Sequence, residues 1–362
     1  MFCFFPYYQT GGSERVHADI LESIHTEKKR HEVAIFFTKV SWSSTFKDHF
    51  QTAGRCFEVA KLDRSKFRRF LIKTIARAIN RADSPTVFGA NATFMYELIP
   101  YLREWVRIVD LTHSFVPESD NPIERASLPY VGRLAARVVI NGKTKQDYAK
   151  LYRAEGIPDE ALSNVYIMHN KLSYPRWDLA QKEYAIPPLK VLFVGRNSPE
   201  KRIALIVHVA RALREAPITF TLVGSGLKES IDRSGQTNLH FAGEINDPAA
   251  LARIYQAHHV ILITSRREGF PLVLAEGMAH GAVPVSTDVG GISYHVHDEK
   301  NGFLVENNDN ETSIVEDIAA RLQYLVNHSD VLPQLGKAAQ TEAYASFDPE
   351  IFDRKWRELL IR

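Results

Sequence analysis

The sequence is poor in several features that would explain a chain of this size. It holds only two cysteines, Cys3 and Cys56, among 362 residues, too few for a disulfide framework. Cys3 lies in the apolar run Phe2-Cys3-Phe4-Phe5 and reads as a core thiol, not a nucleophile. No apolar stretch approaches the roughly 20 residues that span a bilayer. The first residues lack the basic start and cleavage site of a secretory leader. Charge of one sign is not in excess either. With 45 basic and 43 acidic residues the formal net charge is +2, so nothing global calls for a nucleic-acid partner. A full Walker-type phosphate loop is missing, and no internal repeat or low-complexity tract appears. These absences lead to the expectation of a cytoplasmic protein, free or peripheral on the inner face of the membrane.

What is present is an alternation. Apolar residues make up 45% and charged residues 24%, the balance of a globular protein. Short apolar runs at 33–37, 86–88, 106–109, 137–140, 191–194, 219–223, 260–263 and 283–286 alternate with helix-length segments. That order predicts an α/β protein with parallel sheets covered on both faces. The best boundary is 173–188, which holds Pro175, Pro187 and Pro188 and little periodicity. It predicts one Rossmann-like domain over 1–172 and a second over 189–346, with 173–188 as the linker. An amphipathic helix follows at 347–362, with Ile351, Phe352, Trp356, Leu359 and Leu360 on its apolar face. It packs on the second domain or crosses back to the first. Sheets of this kind take ligands at the carboxyl ends of their strands.

Glycine loops follow two of those strands. Gly195-Arg196-Asn197-Ser198-Pro199-Glu200-Lys201 precedes a helix expected over 199–213, with Ser198 as N-cap and Pro199 at the first position. A helix start attracts anions, and Arg196 and Lys201 add charge there. The pair is either a diphosphate clamp or a solvated surface pair. Gly11-Gly12 sits between the first strand and a helix over 13–24, as a plain turn or a point of close ligand approach. Val223-Gly224-Ser225-Gly226 lacks the third glycine of a dinucleotide fingerprint.

The densest segment is Ser265-Arg266-Arg267-Glu268-Gly269-Phe270-Pro271-Leu272-Val273-Leu274-Ala275-Glu276-Gly277. Pro271 can open a helix and Gly281 close it, leaving Glu268 in the loop and Glu276 in the helix. Carboxylates accept hydrogen bonds from sugar hydroxyls, and helix-start amides hold oxygen or phosphate. Each glutamate read alone is also an ordinary helix-start or surface residue. Together, Glu268 and Glu276 inside EGFPLVLAEGMAHGAVPVSTDVGG resemble the paired-glutamate signature of retaining glycosyltransferases of family four. VLFVGRNSPEKRIALIVHVARAL and GGSER resemble two further blocks of that family.

The resemblance implies the GT-B architecture, two Rossmann-like domains facing across a cleft. It implies that Arg196 and Lys201 hold the diphosphate and that Glu276 contacts the ribose. Glu268 and the backbone of Gly269, Phe270 and Leu272 hold the donor sugar. Gly12 and Gly195 lie near the phosphates, Gly243, Glu244 and Ile245 frame the base, and His113 reaches the donor sugar or reaction centre. Transfer with retention is implied, without a metal or cofactor, and no Asp-x-Asp pair follows an apolar strand. The acceptor is a saccharide or lipid-linked saccharide. The chain departs from the family at Ser293 and Tyr294, where Pro-Glu is common. His280 and Met278 read as packing residues. A sugar-nucleotide epimerase, a phosphorylase and a non-catalytic nucleotide-sugar-binding module are the alternatives.

One segment stands apart. Over 64–83, Arg69, Lys73, Arg77 and Arg81 recur every fourth residue, and Phe67, Phe70, Leu71, Ile75 and Ile79 supply an apolar face. It is either a contact for anionic lipid headgroups or a lipid-diphosphate acceptor, or a packed helix with a solvated outer face.

Overall fold

Runs rich in Val, Ile and Phe become strands because such side chains fill a pleated surface buried on both faces. The computed structural model describes residues 1–25, 32–62, 67–116, 123–228 and 237–361. It divides into two units, Met1–Lys171 with Pro349–Arg362, and Leu172–Asp348.

In the first unit the strands are β1 (Phe2–Phe5), β2 (Ala34–Phe37), β3 (Arg55–Glu58), β4 (Thr86–Ala90), β5 (Arg107–Thr112), β6 (Ala136–Val139) and β7 (Val165–Ile167). They form one parallel sheet of order β3-β2-β1-β4-β5-β6-β7. Helices α1 (Gly12–His25), α2 (Lys47–Ala53), α3 (Arg68–Arg81), α4 (Thr93–Leu98), α5 (Ile123–Ser127) and α6 (Gly142–Ala154) carry the connections. The second unit has β8 (Leu189–Val194), β9 (Ile218–Val223), β10 (Leu239–Gly243), β11 (Val260–Ile263), β12 (Val283–Thr287) and β13 (Phe303–Val305), in the order β10-β9-β8-β11-β12-β13. Its helices are α7 (Ile203–Ala212), α8 (Pro248–Ala257), α9 (Leu272–Ala279), α10 (Glu311–Asn327) and α11 (Leu332–Ser346). The strand order reverses between β1 and β4 and again between β8 and β11. Loops leaving such a strand pair diverge, which opens a ligand crevice at the carboxyl edge.

Three expectations need correction. The segment 173–188 is not a free linker. It packs into the second unit, where Tyr184 Oη donates to Gly281 O at 2.8 Å and Lys182 Nζ donates to Tyr255 O at 3.1 Å. Its burial brings the Lys182 amine down to about 7. The terminal helix α12 (Pro349–Leu360) takes the second of its two expected placements, in the first unit against α1, with Trp356 set 5.4 Å from Phe88. Ile351, expected on its apolar face, is exposed instead. In α3 the buried face is Ile72, Ile75, Ala76 and Ile79, while Phe67 and Phe70 point outward. The start of that segment, 64–66, lies outside the described residues.

Candidate active site

The site in the second unit grows from two neighbouring strands. Val191 and Leu192 of β8 pair with Val260 and Ile261 of β11, so the loops after them leave side by side at the reversal point. The loop after β8 does not form the expected helix start. Pro199–Lys201 is a single 3-10 turn, Arg202 follows at φ 47° and ψ 53°, and α7 begins only at Ile203. A left-handed arginine interrupts helical geometry, so Lys201 ends a turn instead of sitting inside a helix.

Arg202 explains why that backbone is tolerated. Its Nε donates to Thr264 O at 2.8 Å, and Nη2 donates to Ser265 O at 3.1 Å and Asn307 Oδ1 at 2.6 Å. Thr264 Oγ1 donates back to Lys201 O at 2.8 Å, and Arg266 N donates to Glu200 O at 2.7 Å. Thr287 Oγ1 holds Ser265 O at 2.7 Å. A further clamp comes from Gly290, at φ 59°, where an added Cβ would stand 1.9 Å from Glu268 O. Gly291 N donates to Gly269 O at 2.8 Å. Backbone carbonyls of the Glu268 loop are therefore fixed from three sides.

Within this frame Lys201 Nζ forms a salt bridge with Glu268, and Ser265 Oγ donates to Glu268 Oε1 at 2.7 Å. Glu268 and Lys201 are thus brought together. Glu276 on α9 is buried, and Tyr255 Oη from α8 donates to its Oε2 at 2.8 Å. Arg196 is turned to Glu200 at 3.4 Å, with about half of its side chain exposed. The Phe270 ring enters the core, stacked 4.8 Å from Phe347. Leu272 opens α9 after Pro271. Gly195 N donates to Val223 O at 2.9 Å, and Gly224 N to Gly243 O at 2.8 Å, which draws the loops after β8, β9 and β10 together. Gly243 and Glu244 are exposed at the end of β10, with Ile245 half-buried beside them. His280 stacks on Tyr255 at 5.6 Å and packs.

In the first unit, Gly12 is the exposed first residue of α1. Glu14 folds back over Gly11, where an added Cβ would meet its Oε2 at 2.1 Å. His113 follows β5, and its Nε2 lies 2.8 Å from Nε2 of His17 on α1. His17 is fully buried and stacks on Phe5 at 4.5 Å. Burial keeps both rings neutral. It brings His113 down to about 4, and it holds His17 well below the ordinary histidine range, helped by His113. His17 Nδ1 meets no protein partner. A buried orphan N–H is rarer than an orphan acceptor, which favours the proton on His17 Nε2. His113 then accepts at Nε2 and carries its own proton on Nδ1. Sequence reasoning missed Arg202, Tyr255 and His17, because no spacing marks a residue that acts through another.

One family model meets this geometry in the second unit. Residues 188–324 match the family described as glycosyl transferases group 1. The amylovoran biosynthesis glycosyltransferase AmsD of Erwinia amylovora is 25% identical over 210 residues, covering 55% of this chain and 57% of that protein. A poly(ribitol-phosphate) alpha-N-acetylglucosaminyltransferase of Staphylococcus aureus is 26% identical over 175 residues, covering 46% of this chain and 34% of that one. These matches span little more than half, or less, of those relatives. Among solved structures, Anabaena Alr3699/HepE in complex with UDP superposes with a TM-score of 0.74 at 16% identity, covering 99% of this chain and 98% of that chain. The fold is therefore GT-B, two Rossmann-like domains.

Proposed function

We propose that the chain moves a sugar from a nucleotide diphosphate sugar to a saccharide or lipid-linked saccharide, with retention and without a metal, in polysaccharide or glycoconjugate synthesis. One observation carries this reading: Lys201 and Glu268 meet on two loops that leave adjacent strands at the point where strand order reverses. The family match over 188–324 supports it from the sequence.

The chemistry divides by charge. Lys201 and Arg196 receive the negative charge that collects on the departing diphosphate. Glu268 accepts hydrogen bonds from sugar hydroxyls and faces the positive charge growing on the ring. Glu276, held by Tyr255, binds the ribose hydroxyls, and Gly243, Glu244 and Ile245 border the base. His113, kept neutral, offers Nδ1–H to a sugar hydroxyl instead of a fixed charge. The bond from the anomeric carbon to the diphosphate oxygen breaks while a bond from the acceptor oxygen forms on the same face. The acceptor proton goes to the departing phosphate.

The experiment is donor screening followed by one variant. Thermal shift against nucleoside diphosphates and their sugars identifies the donor, since a ligand bound to the native state raises its stability. Glu268→Ala then lowers turnover by roughly a thousandfold with donor binding largely kept, the scale of losing one preorganised electrostatic contact. Absence of any stabilising nucleotide, or unchanged turnover in Glu268→Ala, sinks the reading.

A further inference from the structure

The cationic stripe on α3 takes no part in the site, and the structure changes what that stripe carries. Ile72, Ile75, Ala76 and Ile79 recur at three- and four-residue steps and form the buried face. Phe67, Phe70, Thr74, Arg77 and Arg81 recur at the same steps on the opposite crest. Phe67 and Phe70 are 70% and 67% exposed. From Arg68 to Arg81 the helix holds no acidic residue. Arg68 is turned aside, paired with Glu97 at 2.5 Å.

A second element widens this surface. Asn80 Nδ2 donates to Tyr101 O at 2.9 Å, and Arg103 N donates to Asn80 Oδ1 at 2.9 Å, which straps the 101–105 loop to the helix. Lys73 lies over the Tyr101 ring at 5.8 Å and Arg103 over the Trp105 ring at 4.8 Å. Trp105 is 58% exposed.

A single exposed phenylalanine on a protein surface needs no explanation. Two on one crest of a helix without an acidic residue, beside an exposed tryptophan and with Glu104 the one carboxylate of the 101–105 loop, match a partner that is both apolar and negative. Anionic bilayers have that character, with aromatic side chains at the headgroup boundary and cations against phosphate. Single-stranded nucleic acid shares the charge and the stacking, but it is held in a groove that tracks its backbone. A helix crest is convex and suits a flat surface.

We infer that α3 and the adjoining 101–105 loop seat the protein on an anionic phospholipid bilayer, with Phe67, Phe70 and Trp105 entering the headgroup boundary. Among the described residues no helix is long and apolar enough to cross a bilayer, so the contact is superficial. The inference does not rest on the nucleotide-sugar reading, because vesicle binding is measured without a donor.

The test is sedimentation of the full chain with vesicles of equimolar phosphatidylcholine and phosphatidylglycerol, and with phosphatidylcholine alone. Binding is expected to the mixed vesicles at low ionic strength and not to the neutral ones. The double variant Arg77→Glu, Arg81→Glu weakens it by roughly tenfold or more, given about 1 kcal/mol per cation near an anionic surface. The double variant Phe70→Ser, Trp105→Ser weakens it while leaving its salt dependence in place. An unchanged thermal unfolding midpoint shows that each variant still folds. The inference is overturned if wild type ignores the mixed vesicles at low salt, or if neither double variant alters binding. Displacement from the vesicles by a stoichiometric single-stranded oligonucleotide would overturn it in favour of nucleic acid.

Discussion

The two units share a strand order around their reversal points and place contrasting side chains at the carboxyl ends of those strands. In the second unit the loops after β8 and β11 carry opposite charges in contact, Lys201 and Glu268, and their carbonyls are pinned by Arg202, Thr287 and Gly291. In the first unit the ends of β1 and β5 present a neutral histidine pair joined by one 2.8 Å contact. There the charged pair lies deeper, inside the sheet. Arg137 and Asp110 are buried at 2.6 Å, with Tyr96 and Tyr152 completing their hydrogen bonds. Topology thus decides where a ligand goes, and the loop residues decide what can be done there.

The strongest way to break this contrast is to unpin the charged loop. Gly290→Ala forces a Cβ to 1.9 Å from Glu268 O at a φ of 59°. The neighbour is backbone and cannot swing aside. The expected cost is about 3 kcal/mol or more of stability, or a loss of nucleoside diphosphate binding of roughly a hundredfold, from combined clash and left-handed strain. Urea unfolding and donor titration read the two. Wild-type values in both would show that Gly290 does not hold the loop. Arg202→Ala comes next. It strips the guanidinium from Thr264 O, Ser265 O and Asn307 Oδ1; Ser265 O keeps Thr287 Oγ1, so the main loss is at Thr264 O, and a buried acceptor left without its donor costs about 1–3 kcal/mol, read by urea unfolding. Arg202→Lys should rescue little, because a single ammonium cannot reach three acceptors in a fixed fork.

Much of this frame was legible beforehand, and the failures have a common cause. Central strands such as β8 and β11 are continuous apolar runs, which periodicity finds easily. The strands that escape this pattern, β3, β10 and β13, all lie at sheet edges. Phe57 of β3 is exposed, so its run Arg55–Glu58 never becomes apolar. Glu268 and Glu276 were visible as a spaced pair. The Arg202 conformation was not, because it is stabilised by Thr264, Ser265 and Asn307, up to 105 residues away in sequence. The outward turn of Phe70 was hidden for a similar reason. A 3.6-residue repeat lists apolar positions, and only the packed sheet decides which of them face inward.

The neutral side of the contrast can be sharpened with pH. Unfolded histidines titrate near 6.5, while His113 in the native state holds off protons until about 4 and burial holds His17 well below the ordinary range. Between those values the unfolded chain binds more protons, so stability falls as pH drops from about 6.5 toward 4. His113 accounts for about 2 kcal/mol between pH 7 and pH 5, and His17 adds to the fall in the same direction. Asp19, raised to about 6 by burial, works the other way, since its protonated form is favoured in the native state. His17→Gln should therefore flatten the acid slope of the urea midpoint by about one histidine's share. An identical slope in the variant would mean that His17 is charged or accessible in the native protein.

The smallest expected effect concerns Arg196, which belongs to the charged side by sequence yet is half exposed and faces Glu200 at 3.4 Å. A solvated pair of that kind contributes about 0–1 kcal/mol, so its loss alone should not disturb stability. If the side chain leaves Glu200 to meet a diphosphate, the new contact is a charge-assisted hydrogen bond worth about 1.5–3 kcal/mol. Arg196→Ala should then weaken nucleoside diphosphate binding roughly tenfold by calorimetry, with the unfolding midpoint unchanged and the difference shrinking at high salt. Less than a twofold change would leave Lys201 alone on the phosphate side. The contrast between the units would then rest on one salt bridge, not on a cluster of cations.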